Sequence, residues 1–589
     1  MSALVRVRHR AHGNSSLGPQ ALLLFLVLGL IIILSSVVPS HAGQPEKKAS
    51  KEAAVAAGKP EARIGPSTAD HARHKALRQA FARPQDVTNA CISCHNNAAL
   101  QMHKTIHWTW IEPADPERKL GKAGLTFNNF CVAISSNEPR CTSCHAGFGW
   151  KSAATFDFSS QENVDCMVCH DRTGTYKKFP TMAGYPVSEP TVFEGETFYP
   201  PDFNAIAASV SNPTRNNCGT CHFYGGGGDA VKRGDLDSTM IAPSRELDVH
   251  MSPQGANFVC QRCHTTEAHV ISGRGYNKPA FTTRKTVLED DRASRMACES
   301  CHTAKPHPAG HKANDHTKKI ACQTCHIPKF ARGQATKVWW DWSTAGKKKD
   351  GKPFVEKGAF GKTVYDTKKG DFRWDKDVTP EYYWYNGTMK FLLLTDVITD
   401  TSKPVVINKI QGSKGDPNSR IMPFKAHRGR QPFDAGNKTF VVPHLFGKDE
   451  AAFWQSYDWV KAVASGQKSM NLPFSGKLEF VETVYYYPIT HQVAPAENAL
   501  ACNECHKPFG GRLAGVAGIW MPGRDRNTRV DDLGWFGVFC ALLGVGGHGL
   551  MRVAARVRKI RREGLGCTPL SDATSTPGSN ASGTGPRHC

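Results

Sequence analysis

Long hydrophobic stretches occur near both ends of the chain. The first, Ala21–Val38, follows a basic start with three arginines and precedes Ser40-His41-Ala42, which has the small residues of a cleavage site. This pattern predicts a signal peptide or signal anchor over residues 1–42. Residues 43–70 are rich in Lys, Glu and Ala and have few large apolar side chains, so we expect a flexible linker there.

The second hydrophobic stretch, Leu533–Leu550, is apolar apart from His548, and six basic residues follow it between Arg552 and Arg562. This pattern predicts a transmembrane helix over residues 531–555 and a basic, disordered cytoplasmic tail over 556–589. We interpret His548 as a tolerated polar residue, because a haem inside the membrane would need a second histidine on another span.

One short motif, Cys-x-x-Cys-His, recurs between these two ends. Seven copies lie between residues 91 and 326, and an eighth stands far downstream at 502–506. Random placement of 20 Cys and 25 His in 589 residues would give only roughly 0.03 copies. The motif cysteines are Cys91, Cys94, Cys141, Cys144, Cys166, Cys169, Cys218, Cys221, Cys260, Cys263, Cys298, Cys301, Cys322, Cys325, Cys502 and Cys505.

The spacing of this motif has a chemical cause. Two thiols three positions apart can form thioethers to the two vinyl groups of one haem, and the adjacent imidazole then ligates the iron. Zinc ribbons need paired ligand sets and redox dithiols occur once per domain, so both are disfavoured. The sequence therefore predicts eight covalently bound haems c, with the proximal ligands His95, His145, His170, His222, His264, His302, His326 and His506.

Eight haems replace much of the apolar side-chain volume of an ordinary core, in agreement with a chain that is only 40% hydrophobic. We predict a mainly α fold with extensive irregular loops, a few short strands and one C-terminal transmembrane helix. Residues 71–326 form the seven-haem domain and 491–530 the eighth haem segment. Residues 327–490 are haem-free and rich in aromatic residues, and Lys438–Val442 and Leu478–Tyr487 favour strands.

The formal net charge is +22, and the signal segment and the tail account for nine of these charges, which leaves +13. The propionates of eight haems would offset this remainder. No nucleic-acid-binding motif accompanies the charge, so we predict no nucleic-acid partner.

Each iron also needs a sixth ligand, and twelve spare histidines between the two ends exceed that demand. An iron with two imidazoles transfers electrons, whereas a catalytic iron needs an open or displaceable sixth position. The number of spare histidines allows either eight electron-transfer haems, or seven electron-transfer haems and one catalytic haem. The candidate distal ligands are His71, His107, His250, His269, His307, His316, His427 and His491, and His74, His103, His311 and His444 are the remaining spares.

Several longer runs make a resemblance specific. They are His103–Trp110, Cys141–Lys151, Ala321–Pro328 and Tyr487–Pro495, the last of them shortly before the eighth motif. With these runs the sequence resembles the octahaem tetrathionate reductase family of c-type cytochromes, from about His71 to Lys507. It departs from the soluble members of that family by its C-terminal hydrophobic span.

The resemblance implies a reductase of small sulfur or nitrogen oxyanions of the tetrathionate, nitrite and hydroxylamine class. It also implies a catalytic haem with a lysine as displaceable distal ligand, which we assign to Lys151. The remaining haems would then carry electrons from a redox partner, either a quinol-linked membrane protein or a periplasmic cytochrome. We expect the enzyme on the periplasmic side of the bacterial inner membrane; calcium is a further candidate cofactor without an assigned site.

Two alternatives stay open. A non-catalytic electron conduit would have eight bis-histidine haems and no response to small anions. An oxidase of the hydroxylamine type would carry a tyrosine crosslink to its catalytic haem, and Tyr485–Tyr487 are available, although no spacing selects them. Cys131 lies ten residues before the second motif, and we interpret it as an inert buried thiol rather than a group that meets substrate.

Overall fold

The computed structural model describes residues 69–130, 133–152, 154–273 and 296–564. The predicted signal segment, nearly all of the predicted linker, Cys131 and the tail from residue 565 onward lie outside these ranges. The predictions made for those residues therefore stay predictions.

The helices that precede the C-terminal end of the described chain are short. They are α1 Pro84–Ile92, α2 Ala98–Met102, α3 Ile106–Thr109, α4 Glu138–Cys141, α5 Met167–His170, α6 Phe203–Ser209, α7 Arg215–His222, α8 Glu299–His302, α9 Ala313–His316, α10 Cys322–His326, α11 Phe453–Ser456, α12 Trp459–Ser469 and α13 Cys502–Cys505. Helices of one to three turns are not stable alone in water, so packing must hold them in place.

The strands concentrate in the predicted haem-free region. They are β1 Thr191–Phe193, β2 Glu196–Phe198, β3 Thr266–Glu267, β4 Val270–Ile271, β5 Thr336–Asp341, β6 Val355–Lys357, β7 Thr363–Asp366, β8 Gly370–Asp375, β9 Glu381–Tyr385, β10 Met389–Phe391, β11 Val405–Val406, β12 Asn408–Ile410, β13 Arg420–Asp434, β14 Thr439–Phe440 and β15 Leu478–Pro488. Short two-stranded ladders join β1 with β2, β3 with β4, and β10 with β12.

One nine-stranded sheet organises the region from β5 to β15. Its strand order is β11-β15-β13-β5-β8-β7-β6, and β9 and β14 also pair with β13. β13 runs antiparallel to β15, with Lys425 opposite Tyr487 and His427 opposite Tyr485. The sheet is larger than the few short strands that the sequence predicts. The main addition is the long strand β13, whose Pro423 and Gly429 are unfavourable in a strand and interrupt its sequence pattern.

The sheet packs its own hydrophobic core. Trp340 and Trp342 stack at 4.7 Å, and Phe433, Phe440 and Phe453 lie in the same buried cluster. The haem-motif region has several smaller buried clusters instead, among them one around Phe148 and another around Trp150.

A single long helix, α14 Thr528–Gly564, ends the described chain. It is the one helix of the described residues that is long and apolar enough to cross a membrane. It includes the whole predicted span over 531–555 and extends into the basic residues that follow.

Candidate haem and reaction centre

Each motif lies on a short helix or turn, and its histidine falls at or just after the end of that element. Motif 4 occupies α7, where the Thr214 hydroxyl accepts a hydrogen bond from the Asn217 backbone N–H and caps the helix start. Motif 7 occupies α10 in full. A single helical turn brings the two thiols to one side and leaves the imidazole beside them.

Seven motif histidines each face a second histidine. The ring centroids are 6.3 Å apart for His95 and His71, 6.5 Å for His170 and His269, 6.2 Å for His222 and His107, 6.3 Å for His264 and His491, 6.0 Å for His302 and His250, 6.1 Å for His326 and His307, and 6.1 Å for His506 and His316. Two imidazoles bound to one metal at about 2.0–2.1 Å per bond have centroids roughly 6 Å apart. These pairs therefore fit an iron between them.

Hydrogen bonds orient several of these rings. Nδ1 of His170 lies 2.9 Å from the Ser211 carbonyl, and Nδ1 of His264 lies 2.9 Å from the Ser272 carbonyl. A ring that donates through Nδ1 presents Nε2 to a metal, which is the usual arrangement of a ligating histidine. The residues at these positions fit haem iron in chemistry as well as in distance.

Cysteines of different motifs also lie close together. Thiols within hydrogen-bonding reach link motif 1 to 3 (Cys91, Cys166), motif 2 to 4 (Cys144, Cys221), motif 4 to 5 (Cys218, Cys260) and motif 6 to 7 (Cys298, Cys322). The remaining neighbours influence each other electrostatically: motif 3 and 4 (Cys169, Cys218), motif 5 and 6 (Cys263, Cys301) and motif 7 and 8 (Cys325, Cys505). The motifs thus form one continuous spatial order, 1-3-4-5-6-7-8, with motif 2 attached at motif 4.

Motif 2 differs from its siblings. In the described part of the chain, His145 is the motif histidine that faces no second histidine ring. It is only 1% exposed and its Nε2 lies 2.6 Å from the Trp108 carbonyl. Trp110 and Trp150 meet its ring edge-on at 5.5 and 4.8 Å. Burial lowers the pKa of His145 to about 3, so the ring is neutral.

A lysine that the sequence did not single out is an electrostatic neighbour of motif 2 through Cys144 and of motif 4 through His222. Lys232 is partly buried, its Nζ is 5.7 Å from the Tyr487 ring centroid, and the Cys144 thiol is an electrostatic neighbour of its amine. Burial, with Lys122 and Arg233 nearby, lowers the pKa of Lys232 to about 7. Among the described residues, no hydrogen-bond acceptor is found for this Nζ, so the amine is available to a ligand.

Other lysines near motif 2 are less suited to that role. Lys178 is buried, but its Nζ donates to the carbonyls of His145 and Gly147 and pairs with Asp165 at 3.0 Å. Lys151, the lysine assigned from the resemblance, is exposed directly after the buried Trp150. The structure thus does not place the Lys151 amine within a buried pocket at motif 2.

The backbone that presents Lys232 is held by the large sheet. Lys425 on β13 donates through Nζ to the carbonyls of Val231 at 3.0 Å and Lys232 at 3.2 Å, and to Thr336 Oγ1 at 2.6 Å. The Thr336 hydroxyl on β5 in turn donates to the Ala230 carbonyl at 2.6 Å. The four-glycine turn before this segment, at residues 225–228, contains two glycines with positive φ.

One candidate distal ligand is not brought to a motif. His427 is fully buried on β13, where its ring lies 4.4 Å from Phe130, and burial holds its pKa well below the ordinary value. No hydrogen-bond partner is found for either ring nitrogen within the described ranges. A count of the histidines outside the motifs does not distinguish a core histidine from an iron ligand, because both kinds are included in the count.

Comparisons with known proteins agree with the haem geometry. Family models match for bacterial cytochrome c over residues 337–508, for domains II/IV of the MtrC/MtrF-like outer membrane cytochromes over 133–305, and for cytochrome c554 and c-prime over 90–171. An uncharacterized protein of Archaeoglobus fulgidus is 21% identical over an alignment of 224 residues, and the match covers 31% of this chain and 74% of that protein.

A solved structure decides the family. The octahaem cytochrome c from Shewanella oneidensis is 40% identical, with a TM-score of 0.65, and the match covers 77% of this chain and 97% of that one. The chain belongs to the octahaem c-type cytochromes. This octahaem cytochrome therefore binds haem c covalently and acts in electron transfer, and both the predicted fold class and the predicted cofactor are confirmed.

Proposed function

We propose that this octahaem cytochrome is a membrane-anchored reductase of small sulfur or nitrogen oxyanions, with the reaction centre at motif 2 and Lys232 as its displaceable amine ligand. Tetrathionate, nitrite and hydroxylamine are the substrate classes. The seven histidine pairs would serve the electron-transfer haems. This assignment replaces Lys151 by Lys232 and leaves His427 without a ligand role.

A single observation carries the proposal: among the described residues, His145 is the one motif histidine of eight that faces no second imidazole. The Lys232 amine is an electrostatic neighbour of Cys144, the second thiol of motif 2. Its lowered pKa agrees with the role, because an amine must lose its proton to ligate a metal.

Cys141, Cys144 and His145 would hold the haem at this centre, and the haem would supply the electrons for the reduction of an oxyanion. The chain supplies the surroundings. Lys122 and Arg233 give the site a positive field that attracts an anion, and the Trp110 ring, 4.5 Å from Lys122 Nζ, positions that cation. The buried wall of Trp108 and Trp150 excludes water from the proximal side.

We place the haem domain on the periplasmic side of the bacterial inner membrane. The helix α14 supports membrane anchoring by its length and composition. Basic residues at its C-terminal end support a cytoplasmic location for that end, and therefore an external location for the haems.

The test compares Lys232→Ala with Lys151→Ala by electron paramagnetic resonance and by turnover with tetrathionate, nitrite and hydroxylamine. We expect Lys232→Ala to change the signal of one iron and to reduce turnover at least about tenfold, since it removes the amine that is proposed to bind that iron. Lys151→Ala is the matched control and should behave like the parent chain.

Two results would contradict the assignment. A changed spectrum in Lys151→Ala alone would return the ligand role to Lys151. An unchanged spectrum in both variants, with no response to the three anions, would favour the electron conduit. The oxidase alternative has one structural point in its favour, the position of Tyr487 near Lys232, and a haem-crosslinked peptide containing Tyr487 in the mass spectrum would support it.

A further inference from the structure

The segment between the last haem motif and the C-terminal helix folds back onto motif 8. Nδ1 of His506 lies 3.0 Å from the Pro522 carbonyl. Gly523 has a φ of +88° and lies so close to the His506 backbone that a Cβ would sit 3.2 Å from its carbonyl. Buried Leu513 and Met521 pack in one cluster with Tyr382 of the sheet. The start of the connection is therefore fixed to the haem domain.

The connection is fixed almost up to the helix itself. Arg524 and Asp525 form an ion pair at 2.7 Å, and the Met521 backbone N–H donates to Asp525 at 2.6 Å. The first helical hydrogen bond of α14 runs from the Val530 N–H to the Asn527 carbonyl. From Asp525 to the start of α14 the chain can span only about 10 Å. Motif 8 must therefore lie near the end of the helix that enters the membrane.

Two large aromatic side chains are exposed in this segment. Phe509, three residues after His506, is 89% exposed, and Trp520 is 69% exposed. Exposed aromatic side chains continue on the first turns of α14, at Trp535 and Phe536. Aromatic residues are enriched where proteins meet the membrane–water interface, and large exposed apolar groups mark a surface that contacts something.

Motif 8 also stands at one end of the spatial order of haem motifs. Its Cys505 neighbours Cys325 of motif 7, and the His506–His316 pair completes its ligand set. The order then runs from motif 8 through 7, 6, 5 and 4 to motif 2. An electron that enters at motif 8 reaches the proposed reaction centre through neighbouring motifs only.

We propose that the surface formed by Phe509, Trp520 and the edge of motif 8 rests on the outer leaflet and receives electrons from a membrane-confined quinol. The quinol loses two electrons, one after the other, to the haem chain and two protons to the external water, and it leaves as the quinone. This inference rests on the membrane anchoring in the proposed function, but not on the identity of the catalytic ligand or of the substrate.

The experiment uses the full chain in lipid nanodiscs that contain menaquinol-4, and it follows haem reduction by absorbance. Replacing Phe509 and Trp520 together by Asp should slow reduction by menaquinol-4 about tenfold, because two charges weaken the seating on the lipid. Tyr199→Asp, which changes a 67% exposed aromatic residue elsewhere, is the matched control and should leave the rate unchanged.

Dithionite, a soluble reductant, reports on folding and haem content. It should reduce all variants to the same extent. If the double variant loses haem, the single variants Phe509→Ser and Trp520→Ser take its place. Failure of menaquinol-4 to reduce the parent chain, or an equal rate in parent and variant, would overturn the inference. Because Lys232→Ala should still be reduced by menaquinol-4, failure of the proposed reaction centre is recognised separately.

Discussion

The haem-motif region and the large sheet fill their buried interiors in different ways. Between residues 71 and 326 the helices are a few turns long and the buried apolar clusters are small. Between β5 and β15 the chain builds a continuous core in which Trp340, Trp342 and Phe453 are fully buried. The comparison indicates that covalent haem replaces side-chain volume in the first region, whereas the second must supply its own.

The two regions contact each other at the proposed reaction centre. The Lys425 amine and the Thr336 hydroxyl reach from the sheet to the backbone around Lys232, which belongs to the haem-motif region. A rigid sheet thus holds a segment that the short helices alone would not fix. If this difference between the two regions is real, changes in the haem-motif region, at the contact and in the sheet should have separable effects.

The largest effect should come from removing one central haem. Replacing Cys218 and Cys221 by Ser prevents attachment at motif 4, which neighbours motifs 2, 3 and 5. We expect protease cleavage within residues 133–273 to accelerate at least about tenfold, because the region then lacks core material. Residues 336–488 should stay intact, and limited proteolysis with mass spectrometry measures both.

The matched control removes the terminal motif. Replacing Cys502 and Cys505 by Ser deletes a haem that neighbours motif 7 alone in the spatial order. Cleavage should then increase only near residues 491–530. Equal cleavage of the sheet and the haem-motif region in the motif 4 variant would show that the haems do not stabilise the two regions differently.

Local spacing made the haem chemistry predictable from the sequence, and long-range contacts made the rest unpredictable. The thiols and proximal histidines follow from five consecutive residues each, and Leu478–Tyr487 was recognisable as a strand, seen as β15. The predicted strand at Lys438–Val442 is reduced to β14, Thr439–Phe440. β13 was not predicted because Pro423 and Gly429 interrupt its pattern and because its buried face also carries polar residues such as Lys425 and His427.

The lysine beside motif 2 shows the same limit. Lys151 is close to His145 in sequence but exposed, whereas Lys232 is far away in sequence, partly buried and an electrostatic neighbour of Cys144. No local signal marks Lys232, since a lysine after a glycine-rich turn is usually a solvated side chain. The proposed role of Lys232 depends on the packing of the sheet against its segment, which no local sequence pattern predicts.

The second prediction tests the contact between the two regions. Lys425→Met removes the donor shared by the Val231 and Lys232 carbonyls and Thr336. We expect a loss of about 1–3 kcal/mol in the free energy of unfolding, since buried carbonyls lose a donor. Turnover should fall and the electron paramagnetic resonance signal of one iron should broaden. Lys409→Met, at an exposed position of β12, is the control.

A Lys425→Met variant that loses stability but keeps both turnover and spectrum would limit this residue to a structural role. Thr336→Val gives an independent check, because it removes the hydroxyl that donates to Ala230 while keeping the side-chain volume. Its effect on the spectrum should have the same direction and be smaller, since the Lys425 amine still reaches the Lys232 carbonyl.

The smallest effect concerns the sheet alone and depends on pH. Burial raises the pKa of Asp434, but hydrogen bonds from Ser475 and Asn437 outweigh burial and hold it below the ordinary value. Because the folded-state pKa is depressed, the carboxylate stabilises the sheet above about pH 4, and this contribution is lost as the pH falls. Asp434→Asn should cost about 1 kcal/mol at neutral pH and flatten the acid dependence of the urea midpoint, measured by far-ultraviolet circular dichroism. Asp350→Asn, in an exposed turn, should leave that dependence unchanged, and haem absorbance should be the same in both variants because neither residue belongs to the haem-motif region.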